Sequence, residues 1–159
     1  MSEMEYINMI NSKVKDDKYL LEVLSNSEND ETYIPQFDFE YKIIDCQTMF
    51  DNQKNMWHEM FNSDQPIVLL NTSQLFNFWQ DKRIVKDSFT DGREMFAFIL
   101  SQVFMNDIIK DNKKLIFITN EIDGDIFVDS FNSQLPSNIS VSHININQKH
   151  KQLYKTCKN

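Results

Sequence analysis

The sequence predicts a single domain of α+β (mixed α/β) class, with a sheet of about five strands and helices packed on it. Three observations carry that expectation. The segment from Met95 to Ile109 is apolar around most of its circumference at helical spacing, which marks a central buried helix. Short apolar runs such as "PIVLL" and "KKLIFITN" are rich in β-branched residues and bounded by breakers, which marks buried strands. The 159 residues suffice for one core, and no linker divides them.

Residues 1–26 read as an N-terminal helical segment. Ile7, Ile10 and Val14 and then Leu20, Leu21, Val23 and Leu24 recur near the helical period, with Asp16 placed to cap a second helix. Residues 27–36 read as an acidic loop, and residues 37–148 as the α/β core. That core opens on a strand in which Phe37, Phe39, Tyr41 and Ile43 alternate with polar residues. Residues 47–62 place Met49, Phe50, Met56, Trp57, Met60 and Phe61 at helical spacing, and Pro66 ends the helix and begins a strand. Thr72 or Ser73 caps a helix carrying Leu75, Phe76 and Trp79. Thr90 or Asp91 begins the central helix, with Glu94 completing a capping box after Asp91. Strands are then expected at 113–120, 125–131 and 138–146. Asp123-Gly124 supplies a two-residue turn between the first two, since that pair favours the positive φ such a turn needs. Residues 149–159 form a basic tail.

The net charge of −8 is unevenly spread. Residues 1–65 hold 14 acidic against 5 basic residues, while the tail holds four lysines and no acid. Phosphate backbones need positive charge, so the bulk of the chain is expected to bind no nucleic acid. A negative surface steers toward a basic protein partner, although it also serves solubility. Two cysteines make no disulfide framework, no apolar leader follows Met1, and no apolar run approaches membrane-spanning length. A cytoplasmic protein with no membrane partner is the expectation.

Glycine scarcity excludes several chemistries. Gly92 and Gly124 are the only glycines, so phosphate-cradling loops, dinucleotide fingerprints and the glycine-flanked serine elbow are ruled out. His58-Glu59 lacks a second histidine one turn on, since Asn62 stands there. Cys46 follows Asp45, whose charge raises a thiol pKa and works against a nucleophile. In "NEIDGDIFVD" the calcium-loop anchor positions around Gly124 are Thr119 and Ser130, so that loop is no EF-hand. Asp38, Glu40, Asp45, Glu121, Asp123, Asp125 and Asp129 remain as raw material for a magnesium site, but their spacing fixes none. No cofactor, metal ligand or catalytic residue is assigned.

One stretch carries a resemblance. "WHEMFNSDQPIVLL", "SQLFNFWQDK", "TDGREMFAFILSQVF" and "KKLIFIT", spanning Trp57 to Thr119, resemble barstar-type proteins, small acidic inhibitors of a bacterial ribonuclease. The resemblance implies a tryptophan-bearing helix, a proline-started strand, two helices and another strand. It also implies an inhibitory role in which only Glu59 stands where an acid of the inhibitory helix is needed.

The functional expectation is a non-enzymatic acidic binding protein, an immunity or antitoxin protein that neutralises a nuclease toxin by occupying its basic site. The contacts expected are Glu28, Asp30, Glu31, Asp38 and Glu40, with Glu59 and Asp64. The alternatives are a phage or viral accessory protein that inhibits a host protein, and a small metal-dependent hydrolase.

Overall fold

The computed structural model describes residues 1–48, 53–82 and 91–147. Met49, Phe50, Thr90 and the tail at 149–159 lie outside them. Five strands run β1 (Leu20–Asn26), β2 (Lys42–Asp45), β3 (Ile67–Leu70), β4 (Lys114–Ile118) and β5 (His143–Ile146). They form one sheet in the order β2-β3-β4-β1-β5, and every pairing is parallel. The helices are α1 (Glu3–Asp16), α2 (Gln53–Asn62), α3 (Thr72–Lys82), α4 (Gly92–Ile99), α5 (Met105–Lys110) and α6 (Glu121–Gln134). A π-helical turn at Leu100–Phe104 joins α4 to α5. The α/β class with a five-stranded sheet and a buried central helix is therefore as the sequence implied.

The sheet separates two apolar layers. On one face, Tyr6 and Ile10 of α1 pack on Leu20, Leu24, Val68, Ile116, Ile118 and Ile146, with Phe37, Phe39 and Tyr41 beside them. On the other, helices α2 to α6 cover Leu21, Val23, Ile44, Ile67, Leu69, Leu115 and Phe117. Here Phe76, Phe96, Phe117 and Phe127 form a ring cluster with centroids 5.6–6.1 Å apart. Such tilted and offset pairs add to the burial of the rings themselves.

Three expectations are corrected. The segment 1–26 is not helical throughout: α1 ends at Asp16, and Leu20–Asn26 is β1, a strand inside the sheet. All seven of its residues are buried, so it lacks the alternation that reveals a half-exposed strand. The segment Phe37–Tyr41 alternates but pairs with no strand; Phe37 and Phe39 stack at 4.9 Å and Tyr6 lies 6.2 Å from Phe37. Its aromatic side chains cap the α1 layer, and ladder pairing begins only at Lys42.

The third correction concerns residues 120–134. There is no hairpin at Asp123-Gly124 and no strand at 125–131; both lie in α6. Asn120 caps that helix, its side chain accepting from Asp123 N. Gly124, Phe127, Val128 and Phe131 are buried at the spacing i, i+3, i+4, i+7, a complete helical stripe. Gly124 has no positive φ. A Cβ there would stand 2.7 Å from Thr119 Oγ1 and 2.8 Å from His143 Nε2, so the glycine provides room and not a turn.

The left-handed positions are filled by asparagine instead. Asn29, Asn71 and Asn112 have φ of 53°, 53° and 56°. Asparagine tolerates this region better than other side chains, which gives part of the 17 asparagines a structural use in a chain with two glycines.

Candidate functional site: an acidic carboxyl edge

Because all strands are parallel, their carboxyl ends share one edge, the edge at which open α/β sheets bind their ligands. Helices that follow a strand also start there. The segment after β1 is organised by Asn26, which is 2% exposed. Its Oδ1 accepts from Glu28 N and Asp30 N, both at 3.0 Å, and its Nδ2 donates to Asp30 O at 2.7 Å. The Asn29 side chain accepts from Glu121 N at 2.9 Å, which ties this loop to the start of α6. Glu31 Oε1 accepts from Ser73 N at 2.8 Å and so caps α3 from outside the helix. Asn71 Nδ2 donates to Asp45 Oδ1 at 2.8 Å, linking the ends of β2 and β3.

The start of α1 joins the same edge. Ser2 bridges to Asn147, just past β5, and caps the helix. The Tyr33 hydroxyl donates to Glu3 Oε1; burial and that carboxylate raise the phenol pKa. Arg93 completes the perimeter, with Nε donating to Asp91 Oδ1 and Nη1 to Asp123 Oδ1, each at 2.9 Å. The hydrogen bonds from Arg93 hold the Asp91 carboxyl below its ordinary pKa.

Glu3, Glu5, Glu28, Asp30, Glu31, Asp45, Asp91, Glu121 and Asp123 thus converge on one edge. Within this set Arg93 pairs with both Asp91 and Asp123. The helix dipoles favour acids in the first turns of α1 and α6, which accounts for Glu3, Glu5, Glu121 and Asp123. They do not account for Glu28, Asp30 or Asp45.

The seven residues expected to contact a partner divide between places. Glu28, Asp30 and Glu31 lie at the carboxyl edge. Asp38 lies over α1, its N–H donating to Asn11 Oδ1 at 3.2 Å. Glu40 accepts from Gln65 at 3.3 Å at the amino edge, where Asp64 also sits. Glu59 is half-buried near the end of α2, at the same side. Sequence reasoning about partner contacts passed over Glu3, Glu5, Asp45, Glu121 and Asp123, because their neighbourhood depends on strand order.

A hydrogen-bonded chain of serine, histidine and aspartate also lies near this edge. Ser25 Oγ and His143 Nε2 are 2.7 Å apart, and His143 Nδ1 and Asp125 Oδ1 are 2.6 Å apart. The connectivity is that of a nucleophile, a base and an orienting acid, but the burial is reversed. Ser25 is 0% exposed, whereas the Asp125 side chain is 64% exposed. A nucleophile must meet its substrate, so this chain of bonds pins edge strand β5 and α6 to β1. Cys46 is 1% exposed; burial, with Asp45 and Glu31 beside it, pushes its thiol up to about 12, which leaves it protonated and inert. Among the described residues, no three His, Cys, Asp or Glu side chains come together as a metal-binding group. Nor is any helix among them long and apolar enough to cross a membrane.

Comparison of the chain with protein-family models, with curated proteins and with solved structures finds no match.

Proposed function

We propose that the chain is a binding protein that presents its acidic carboxyl edge to a basic protein partner. Neutralisation of that partner, as an immunity or antitoxin protein neutralises a nuclease toxin, is the role that fits this edge. The observation that carries the reading is the convergence of acids from the ends of β1 and β2 and the starts of α1, α4 and α6 onto one edge of an all-parallel sheet. A basic substrate cleft offers the complementary potential, and such complementarity raises association rates and rejects like-charged competitors. The Asn26, Asn29 and Asn71 side-chain bonds hold the loops in place before any partner arrives, which lowers the ordering cost of binding.

The test is capture from a lysate of the source organism at low salt. The wild-type chain and the variant Glu3→Gln/Glu5→Gln/Glu28→Gln/Glu121→Gln are immobilised in parallel. The expected result is a basic protein enriched on the wild type and lost from the variant. Equal capture by both proteins contradicts the reading.

A further inference from the structure

Strand β1 is buried along its whole length, yet its third residue is a glutamate. The Glu22 side chain is 5% exposed, between Leu21 and Val23 and under α1. Burial raises its pKa, and Lys13 pulls it back only in part. Lys13 Nζ reaches Oε1 at 3.0 Å, but the lysine side chain is itself 40% exposed, so water screens the pair. Among the described residues no donor reaches Oε2. Nearby, the Tyr6 hydroxyl is buried with no hydrogen-bond partner, close enough to Glu22 to feel its charge. Burying polar groups with incomplete partners costs stability, and an apolar residue serves such a position at least as well. Its ion pair with a half-exposed lysine offsets the cost of burying that carboxylate only in part.

Glu22 is not sealed in. It lines a cleft of about 650 Å³ at the amino ends of β1 and β5, within the size range of small-molecule sites. Met9, Tyr19 and Ile144 give the cleft apolar walls. Asp16 and Asp17 stand at its rim, at the carboxyl end of α1, where the helix dipole adds further negative potential. Glu22, Asp16 and Asp17 outnumber Lys13 and Lys18, so the cleft is net negative.

We propose that this cleft binds a small organic cation, a primary ammonium on a short aliphatic chain. The ammonium donates to Glu22 Oε2, and the hydrocarbon lies along Met9, Tyr19 and Ile144. An ammonium brings three donors and no acceptor, which suits a carboxylate oxygen short of a donor. The ammonium belongs either to a free amine or to a lysine side chain of another protein, which present the same group. The site is remote from the carboxyl edge and independent of the partner proposed there.

Methyl NMR titration of the labelled full chain tests this. The probes are n-butylammonium chloride and N-acetyl-lysine-N-methylamide, with sodium butyrate and sodium chloride as controls. Saturable shifts at Met9 and Ile144 are expected with butylammonium at millimolar concentration, as so few heavy atoms allow, and none with butyrate. Tighter saturation by the lysine amide assigns the site to a protein side chain; tighter saturation by butylammonium assigns it to free amines. Glu22→Gln is expected to weaken binding by about tenfold or more, the loss of a hydrogen bond to a charged group. Lys13→Met is expected to tighten it, because the internal competitor is gone; this variant tests the site even where Glu22→Gln does not fold. Absence of saturation in the wild type, an equal response to butyrate, or unchanged affinity in both variants overturns the proposal.

Discussion

The two edges of the sheet are built from the same strands and differ in charge. At the carboxyl edge lie Glu28, Asp30, Asp45, Glu121 and Asp123, of which Asp123 pairs with Arg93. At the amino edge, Glu40, Asp64 and Asp111 are interspersed with Lys42, Lys113 and Lys114, and Lys113 Nζ donates to Ser63 O at 3.0 Å. A parallel sheet makes this division possible, because every β-to-α connection emerges on one side and every α-to-β connection returns on the other. Helix dipoles encourage it without fixing it, since the acids in loops answer to no dipole. The lesson is that a formal charge of −8 does not say how acids and lysines divide between the two edges.

The largest expected effect comes from Gly92, which seats the α4 end of the acidic edge. A Cβ there would fall 1.9 Å from Phe76 O and 2.7 Å from Gln80 N, both backbone atoms of α3. Gly92→Ala must push α4 off α3 and carry Asp91 and Arg93 away from Asp123. A loss of about 3 kcal/mol or more is expected, read from denaturant unfolding followed by tryptophan fluorescence. A loss below 1 kcal/mol, on the order of an ordinary surface change, would show that the two helices are not locked there.

A smaller contrast separates the left-handed asparagines. Asn71→Gly keeps the φ but removes the bond to Asp45 at the carboxyl edge, and a loss of about 1 kcal/mol is expected. Asn112→Gly, in the turn before β4 at the amino edge, is expected to stay within about 0.5 kcal/mol. Thermal unfolding of the pair reads both, and equal losses would mean that the carboxyl-edge bond contributes nothing.

The edges also respond to pH in opposite directions. The Asp91 pKa is lowered in the fold by Arg93, so its stabilisation is present above the ordinary Asp range and is lost as pH falls through the folded value. The Glu22 pKa is raised by burial, so the native state holds more protons between the ordinary and folded values. Through that window stability falls as pH rises. Glu22→Gln is expected to remove the second slope and Asp91→Asn the first, by unfolding free energy measured from pH 3 to 7. Unchanged slopes in either variant would remove that residue from the account.

Much of this architecture was legible from the residues. Pro66, the apolar run at 114–118 and the Asp91 cap with its all-round apolar helix gave local signals that tertiary packing had no reason to override. Strand β1 was hidden because burial on both faces removes alternation, leaving "LLEVL" equally compatible with a helix. Helix α6 was hidden by Gly124: a glycine after aspartate signals a turn, and its use as clearance for His143 depends on a strand 19 residues later. The stripe at 124, 127, 128 and 131 and the Asn120–Asp123 cap were the signals that point to the helix. The candidate site was half legible. Acidity after β1 is visible in sequence, but its union with Glu121, Asp123 and Asp45 follows from the order β2-β3-β4-β1-β5, which no local pattern encodes.

The central claim is that location and not total charge directs the partner. Its most direct test is the association rate of the captured basic protein with two variants of equal charge change, by stopped-flow at low salt. One carries Glu28→Gln, Glu121→Gln and Glu5→Gln at the carboxyl edge; the other carries Glu40→Gln, Glu59→Gln and Asp64→Asn at the amino edge. The carboxyl-edge variant is expected to associate at least about tenfold more slowly, with the amino-edge variant within about twofold of wild type. Equal slowing by both variants would contradict the account and reduce the acidic edge to its share of the net charge.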